Sequence, residues 1–509
     1  MIEPTLGAVP ICLLGAEIRQ GPIGEAVRGL QALGLDEKDL GFFRFRRYSP
    51  NEYAVTNDLG DYLILNKDDF WNMAQGGELE DTFVAEKLRE MGVLKGTDEF
   101  AGPENIQRYR DRNRFLFQGP SLHIIVVTLR CNLVCSYCQA SARKGSEKEF
   151  DMTEETAKLV VDAIFMSPGQ KVNIEFQGGE PLSNWPIVEY IINYANRKSL
   201  AEGKDVFFSI VTNLVSITDE QLQFLVDNEV GISTSIDGPE GLHDLHRGKG
   251  SYAKTTANMK TCATVYKEKY VLRLPGALMT MTRDSLAFPV EIVDDYAELG
   301  LESVHLRKVA PFGLASKELD KFNFSDADFL EFYEKAFDRI LEINREGKRF
   351  TERAAYLFII KMMTDYPVNH MDMRSPCGAG IGQIAYHYNG DVYTCDEGRM
   401  MSMMGYEDFR LGNVAKNTMA EILDNDVVKS MCAASCLESL PACNLCAYKP
   451  YCGVCPLYNF AVEGSIFGKE HCNERCRINK GVLDIILRKA KDPEVMRIYR
   501  SWIDNILLM

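Results

Sequence analysis

Gly119-Pro-Ser-Leu-His-Ile-Ile-Val-Val-Thr-Leu-Arg-Cys131-Asn-Leu-Val-Cys135-Ser-Tyr-Cys138 is the stretch on which the reading of this chain turns. Residues 122–129 form a continuous apolar run rich in β-branched side chains, the pattern of a strand covered on both faces. Three cysteines follow at once, spaced C-x3-C-x2-C. Three thiolates can hold three irons of a [4Fe–4S] cluster, which ordinarily takes four protein ligands, so the fourth iron is left open. Zinc is the alternative, and a closed zinc site needs a fourth protein ligand. The nearest histidine, His123, lies inside the strand-like run.

Outward from this loop, strand-like runs at 122–129, 172–176, 206–211, 230–236, 271–281 and 304–309 alternate with helical patterns near 154–165, 187–198, 219–227, 256–267 and 289–299. Asp151-x-x-Glu154 and Thr218-x-x-Gln221 read as helix-opening capping signatures. Such β-α alternation predicts parallel strands with right-handed crossovers, here an α/β fold with a partial (β/α)6 barrel. The cysteine loop then leaves the C-terminal end of the first strand, where such barrels place their chemistry.

Before the barrel, a helical pattern near 23–33 is all that the first forty residues offer. Two short strands, Tyr53-Ala-Val and Asp61-Tyr-Leu-Ile-Leu, flank an Asn57-Asp-Leu-Gly60 turn and precede helical patterns at 66–73 and 81–91. These predict a small winged-helix-like α+β module. After the barrel, 324–346 and 353–364 read as helices, 385–394 as a hairpin around Asn389-Gly390, and 480–508 as a helical tail. The expected organisation is an extension over 1–41, a module over 42–115, the barrel over 116–345, a cysteine-rich domain over 346–485 and a terminal helix over 486–509.

Composition narrows the function. The formal net charge of −16 argues against bulk attraction to nucleic-acid phosphates. The apolar run from Ile124 to Leu129 is far short of the ~20 residues that span a bilayer, and no cationic segment opens a secretory signal. A cytoplasmic protein without membrane or nucleic-acid partners is expected. Of fifteen cysteines, ten lie from Cys377 onward and three in the loop. In a reducing compartment, clusters of this kind read as metal ligands rather than disulfides. Cys12 and Cys262 stand alone and read as structural.

Further motifs fall at successive strand ends. Gln177-Gly178-Gly179-Glu180-Pro181 follows the second strand, Thr212-Asn213 ends the third, and Ser233-Thr-Ser235-Ile-Asp237-Gly-Pro ends the fourth. Together with the cysteine loop and Tyr137 before its third cysteine, this order resembles the radical S-adenosylmethionine (SAM) superfamily. The resemblance implies that the open iron chelates SAM and that electron transfer cleaves its sulfonium to a 5′-deoxyadenosyl radical. It also implies that Gly178, Gly179 and Glu180 hold the SAM amino group, with Gln177 beside them. Thr212, Asn213, Ser235 and Asp237 would line the remainder of the cofactor, and Arg247 or Arg307 would pair with its carboxylate.

The later cysteines, Cys377-x12-Gly390-x4-Cys395 and Cys443-x2-Cys446-x5-Cys452-x2-Cys455 followed by Cys472 and Cys476, resemble the SPASM extension. That extension binds two auxiliary [4Fe–4S] clusters; the x2 before Cys455 departs from its usual x3. The resemblance implies Cys377, Cys395 and Cys455 on the first cluster, either with a fourth ligand (Cys472, with Cys436 and Cys432 as rivals) or with an open iron. Cys443, Cys446, Cys452 and Cys476 would hold the second. Paired zinc knuckles are the alternative. Asp396 stands where sulfatase-maturing relatives carry the aspartate that takes a proton from the oxidised substrate, the work of a general base.

The text Phe42-Phe-Arg-Phe-Arg-Arg47, Ser375-Pro-x-Gly-Ala-Gly-Ile-Gly382 and Cys436-x-Glu-Ser-Leu-Pro441, with the opening stretch, resembles maturases of the His-Xaa-Ser peptide system (HxsB-type). This implies a ribosomally made precursor peptide as substrate, a leader-binding role for the small module, and an external one-electron reductant such as a flavodoxin or ferredoxin. A sulfatase-type maturase acting on a protein, and a non-enzymatic iron–sulfur or zinc scaffold, are the other readings.

Overall fold

The computed structural model describes residues 40–75, 79–94, 102–269, 274–469 and 473–507. The helical pattern near 23–33, Cys12, Cys472 and the first residues of the expected fifth strand fall outside the described residues. The small module has three strands, not two: β1 (Arg44–Ser49), β2 (Glu52–Thr56) and β3 (Tyr62–Asn66) form an antiparallel sheet in that order. Arginines at three of the first four β1 positions hid its strand character in the sequence. Helices α1 (Lys67–Ala74) and α2 (Thr82–Glu90) start where Asn66 and Asp81 accept backbone N–H groups. A further helix, α3 (Pro103–Arg112), leads to the barrel.

The barrel begins with β4 (Leu122–Thr128), β5 (Lys171–Gly178), β6 (Asp205–Thr212), β7 (Gly231–Ser235) and β8 (Gly276–Leu278). Pro275, which has no N–H to give a ladder, stands immediately before the short β8. Two-residue strands β9 (Ser303–Val304) and β10 (Thr351–Glu352) pair only with each other, and β11 (Gln383–Tyr386), β12 (Asp391–Tyr393) and β13 (Arg410–Asn413) follow. One eight-stranded sheet runs β8-β7-β6-β5-β4-β11-β12-β13, parallel from β8 to β11 and antiparallel beyond.

The expected sixth barrel strand is therefore a correction. Past β9 it meets the fifth only through an isolated Met281–Lys308 bridge. Arg307 is more than half exposed, so this run is not covered on both faces as a parallel strand requires. The barrel stays open, and the edge of β4 is filled by β11 from the cysteine-rich region, whose hairpin turns at Gly390 (φ 85°).

Helices α4 (Glu154–Phe165), α5 (Trp185–Glu202), α6 (Asp219–Asp227), α7 (Glu240–Arg247), α8 (Ser251–Glu268) and α9 (Pro289–Glu298) cover the sheet. Ile125, Val127, Ile174, Phe176 and Ile210 pack with Val160, Val161, Ile164, Val188 and Ile191 in the main core. Thr218 and Gln221 cap α6 reciprocally as expected. The cap of α4 is Thr153 rather than Asp151, because Asp151 serves the cysteine loop. Behind the barrel, α10 (Asp326–Arg345) and α11 (Arg353–Met363) pack with α13 (Glu474–Lys489) and α14 (Pro493–Leu507), where Trp502 is buried and donates to Asn344 (3.0 Å). Between them, α12 (Asp396–Ser402) follows directly on Cys395.

The N-terminal module docks on the later cysteine loops. Arg44 donates to the Asn444 carbonyl (2.5 Å), Thr56 to that of Ala447 (2.8 Å), and Tyr451 to that of Gly60 (2.9 Å). Arg46 forks onto Asp484 of α13 (2.8 and 2.5 Å). Among the described residues no helix is long and apolar enough to cross a membrane.

Candidate functional site

The cysteine loop is anchored from its own strand. Arg130 donates twice to Asp151 (2.7 and 2.8 Å) and once to the Ser183 carbonyl (2.7 Å), while Thr128 donates to Asp151 (2.6 Å). On the far side, Leu314 N–H reaches the Cys138 carbonyl (2.9 Å), and a Cβ on Gly313 would stand 2.1 Å from the Gln139 carbonyl oxygen. Backbone N–H groups of Leu133 and Ala142 point at the sulfurs of Cys131 and Cys138 (3.4 Å each), and Asn213 Nδ2 lies 3.9 Å from Cys131 Sγ. Burial pushes the Cys131 thiol up to about 12 and the Cys135 thiol to about 11. Without iron the loop therefore holds thiols. Inbound N–H donors and a bound cation are what would make them thiolates. Among the described residues no three His, Cys, Asp or Glu side chains converge on a single ion.

The other strand ends converge beside this loop. Glu180 is buried and accepts from Leu182 N–H (3.0 Å), Thr212 Oγ1 (2.7 Å) and Asn213 N–H (2.8 Å), yet burial still raises its carboxyl. Asn213 also donates to Asn132 inside the loop (2.7 Å). Gly178 and Gly179 are required by the protein itself. A Cβ would fall 2.0 Å from the Thr128 oxygen at Gly178 (φ 149°) and 2.4 Å from the Arg130 and Leu129 oxygens at Gly179. The motif implies a close approach to the cofactor; the structure shows a close approach to the neighbouring backbone. Ser235 ends β7, half-buried.

Three expected cofactor contacts are turned inward instead. Asp237 is buried and accepts both prongs of Arg247 (2.8 and 3.0 Å), the hydroxyl of Tyr137 and the N–H of Thr280 (3.1 Å). Arg247 lies 5.4 Å over the Tyr137 ring. Burial raises the Asp237 carboxyl, but the adjoining guanidinium outweighs it and holds the group below the usual carboxylate range. Arg247 thus pairs its charge with Asp237, and the trio braces the loop from behind. Arg307 is placed differently, half-exposed and 3.6 Å from Glu397. His246, which no sequence motif marks, joins the brace through Ser136 (3.0 Å) and Thr282 (3.0 Å).

A cavity of about 390 Å³ opens between the barrel and the cysteine-rich region. Glu175, Gln177 and Arg307 line it from the barrel, and Cys377, Cys395, Asp396, Glu397 and Cys455 from the other side. Gln177 donates to Glu175 (2.7 Å) and so faces the cavity, away from the Gly-Gly turn. Cys377, Cys395 and Cys455 are buried together with Met401, Phe409 and Leu457, so the short spacing to Cys455 does not keep it from the other two. Asp396 is not a lone acid beside them, because buried Arg399 donates to it twice (2.9 and 2.7 Å). A second, smaller cavity of about 40 Å³ is lined by Cys443, Cys446, Cys452 and Cys476, with Asn479 Nδ2 3.5 Å from Cys452 Sγ. Both donor sets suit iron–sulfur clusters: grouped soft thiols with N–H donors aimed at sulfur.

With this geometry in view, comparison with known proteins is direct. Residues 125–276 match the model of the Radical SAM superfamily, and residues 377–456 match SPASM, an iron–sulfur cluster-binding domain. The cysteine-type anaerobic sulfatase-maturating enzyme of Clostridium novyi is 23% identical over 65% of this chain and 86% of its own length. The serine-type enzyme of Bacteroides thetaiotaomicron is 23% identical over 65% and 81%. The structure of native anSMEcpe with bound AdoMet superposes with a TM-score of 0.60 at 20% identity, covering 76% of this chain and all of that one. Open barrel, cysteine loop and trailing cysteine field thus lead to one statement: this chain is an enzyme with a radical SAM domain and a SPASM iron–sulfur cluster-binding domain, and its cofactors are SAM and [4Fe–4S] clusters.

Proposed function

We propose that this enzyme modifies a ribosomally made precursor peptide, of the kind processed in the His-Xaa-Ser system, within the reducing cytoplasm. The observation that carries the proposal is the cavity shared by the barrel strand ends and by Cys377, Cys395 and Cys455. A peptide side chain lying there is exposed on one side to the radical-generating half and on the other to an electron acceptor. When bound, SAM and its cluster supply hydrogen abstraction, and the auxiliary clusters accept the second electron.

The chain's own residues have distinct parts in this proposal. Cys131, Cys135 and Cys138 hold the SAM cluster; the Gly178–Glu180 turn, Thr212, Asn213 and Ser235 shape the cofactor seat. Tyr137, Asp237 and Arg247 position the loop. Arg307 and Gln177 face the substrate cavity, and Asp396, steadied by Arg399, takes the proton released on oxidation. Cys377, Cys395 and Cys455 hold the first auxiliary cluster, and Cys443, Cys446, Cys452 and Cys476 the second. The three-stranded module within 42–115 binds the leader, and a flavodoxin or ferredoxin supplies electrons. The product is a crosslink, thioether or related oxidised linkage.

The sulfatase-maturase relatives support a second reading, formylglycine formation on a protein, in which Asp396 has the same part. About a quarter of this chain has no counterpart in the anSMEcpe structure. Co-expression with the short open reading frame beside the gene, read by mass spectrometry, tests the choice. A mass loss confined to that peptide supports the proposal. An unmodified peptide together with a converted sulfatase selects the second reading.

A further inference from the structure

The barrel interior opens at its other end as well. A cavity of about 540 Å³ lies at the N-terminal ends of β4, β5 and β6, where Leu122, Lys171, Asn173 and Phe207 line it. It adjoins the cavity shared with the cysteines, because Leu122, Glu175, Arg353, His370 and Met371 line both. Asn173, Glu175 and Gln177 alternate along β5 and so share its inner face, from this mouth to the turn that seats the cofactor. Arg353 is exposed at the join and makes no side-chain hydrogen bond or ion pair among the described residues. The acids around it are already paired. Glu175, the one acid lining the mouth, accepts from Gln177 (2.7 Å) and Ser209 (3.2 Å). Across the adjoining cavity Asp372 pairs with Arg475, Asp396 with Arg399 and Glu397 with Arg307. Phe207 is 46% exposed at the mouth, and the buried Oδ1 of Asn173 accepts no hydrogen bond among the described residues. A free guanidinium calls for an anion, an orphan amide oxygen for an N–H, and an exposed ring for apolar contact. An extended acidic peptide supplies all three, whereas an inorganic anion supplies only the first.

We propose that this mouth is a second substrate subsite, in which Arg353 binds a carboxylate of an extended peptide, Asn173 accepts one of its backbone N–H groups and Phe207 packs against it. This rests on the reading that a polypeptide substrate occupies the adjoining cavity. The carboxylate is an acidic side chain or a free C-terminus, at a fixed distance from the reacting residue. Asn173 and Gly178 stand five positions apart on β5. That is about 16 Å of strand, which an extended peptide spans in about five residues.

The test uses the full-length enzyme, reconstituted anaerobically with SAM present, and three short Gly-Ser peptides that carry an uncharged dye. The first has a central pair of glutamates and blocked ends. The second has glutamines in their place, and the third has the glutamines and a free C-terminal carboxylate. Binding is read by fluorescence anisotropy at low salt. The first or the third peptide should bind on the order of fivefold more tightly than the second, and the one that does identifies the source of the carboxylate. A chain of net charge −16 would by itself repel both, so bulk attraction cannot imitate this result. Arg353→Ala should erase the preference, and Arg353→Glu should turn it toward a peptide with a central pair of lysines. Should Arg353→Ala lose iron, Arg353→Gln takes its place. Equal binding of the three peptides by the parent, no binding at millimolar peptide, or a carboxylate preference that survives these substitutions overturns the proposal. If the preference holds but the co-expressed peptide stays unmodified, the subsite stands, and it is the choice of substrate under the proposed function that falls.

Discussion

Arg247 reaches back ten residues to fork onto Asp237, at 2.8 and 3.0 Å, and the pair lies directly behind the three-cysteine loop. Both side chains are buried, and the Tyr137 hydroxyl closes the group. The charges therefore belong to the scaffold of the site. Two residues that motif reading assigns to the cofactor also hold Tyr137 of the loop.

Removing one partner strands the other as a buried charge. Arg247→Ala should lower stability by about 3–5 kcal/mol, the usual cost of breaking a buried pair. Arg247→Lys should recover only part of this, since an ammonium cannot reproduce the fork. Thermal melting of the anaerobic protein measures the first effect. Iron content measures the second, because a loosened Tyr137 should reduce loading of the SAM cluster and spare the auxiliary ones. A variant with wild-type melting and wild-type iron would remove the bracing role.

Gly178 offers a separate test of the turn beside the loop. Its φ is 149°, and a methyl group on its Cα would stand 2.0 Å from the Thr128 oxygen, so there is no room for a side chain. Gly178→Ala should cost on the order of 1–3 kcal/mol through backbone strain. It should also weaken SAM binding measured by calorimetry, because the shifted backbone carries Glu180 and the N–H of Gly179 with it. Gly203→Ala, at a helix end with open space around it, is the control; it meets only the left-handed penalty (φ 74°) and should leave SAM affinity unchanged.

How much of this was legible beforehand depended on whether a residue's neighbours are local. The strand and loop of residues 122–138 follow from composition and spacing, and so do the Thr218–Gln221 cap and the Asn389-Gly390 hairpin, whose determinants lie within a few positions. Residues 304–309 misled because an apolar periodicity says nothing about the cavity that Arg307 and Lys308 border. β1 was missed because its arginines are satisfied by Asn444 and Asp484, some four hundred residues away. Arg399 could not be connected with Asp396 until a helix placed them one turn apart.

Acid sensitivity follows from two buried histidines. Burial lowers His123 and His387 from 6.5 to about 3 each. Between those values the unfolded chain binds protons that the native state refuses. Stability therefore rises with pH across this window; the contribution is intact above about pH 6.5 and is lost as pH falls toward 3. At about pH 5 the loss is roughly 2 kcal/mol per histidine. His123→Gln with His387→Gln should flatten the dependence of melting temperature on pH between about 7.5 and 5 relative to wild type. Comparing slopes between the two proteins cancels any acid loss of clusters common to both. Equal slopes would mean that neither histidine is held neutral.

The module's dock on the later cysteine loops makes the last prediction. Arg46 and Asp484 form a two-pronged, partly exposed pair, and Asp484 also accepts from Tyr448, two residues beyond Cys446. A double-mutant cycle of Arg46→Ala and Asp484→Ala should give a coupling of about 0.5–1 kcal/mol, the modest value of a pair still in reach of water. The consequence for the cysteines should be larger than that energy suggests. Thr56 and Arg44 hold the Ala447 and Asn444 carbonyls, each next to a cysteine of the smaller cavity. Arg44→Ala with Arg46→Ala should therefore speed the loss of iron from the second auxiliary cluster when the protein is challenged with a chelator. The SAM cluster, anchored separately through Arg130 and Asp151, should keep its iron over the same period. Equal rates of loss from both would show that the module merely caps the domain and does not support the loop it touches.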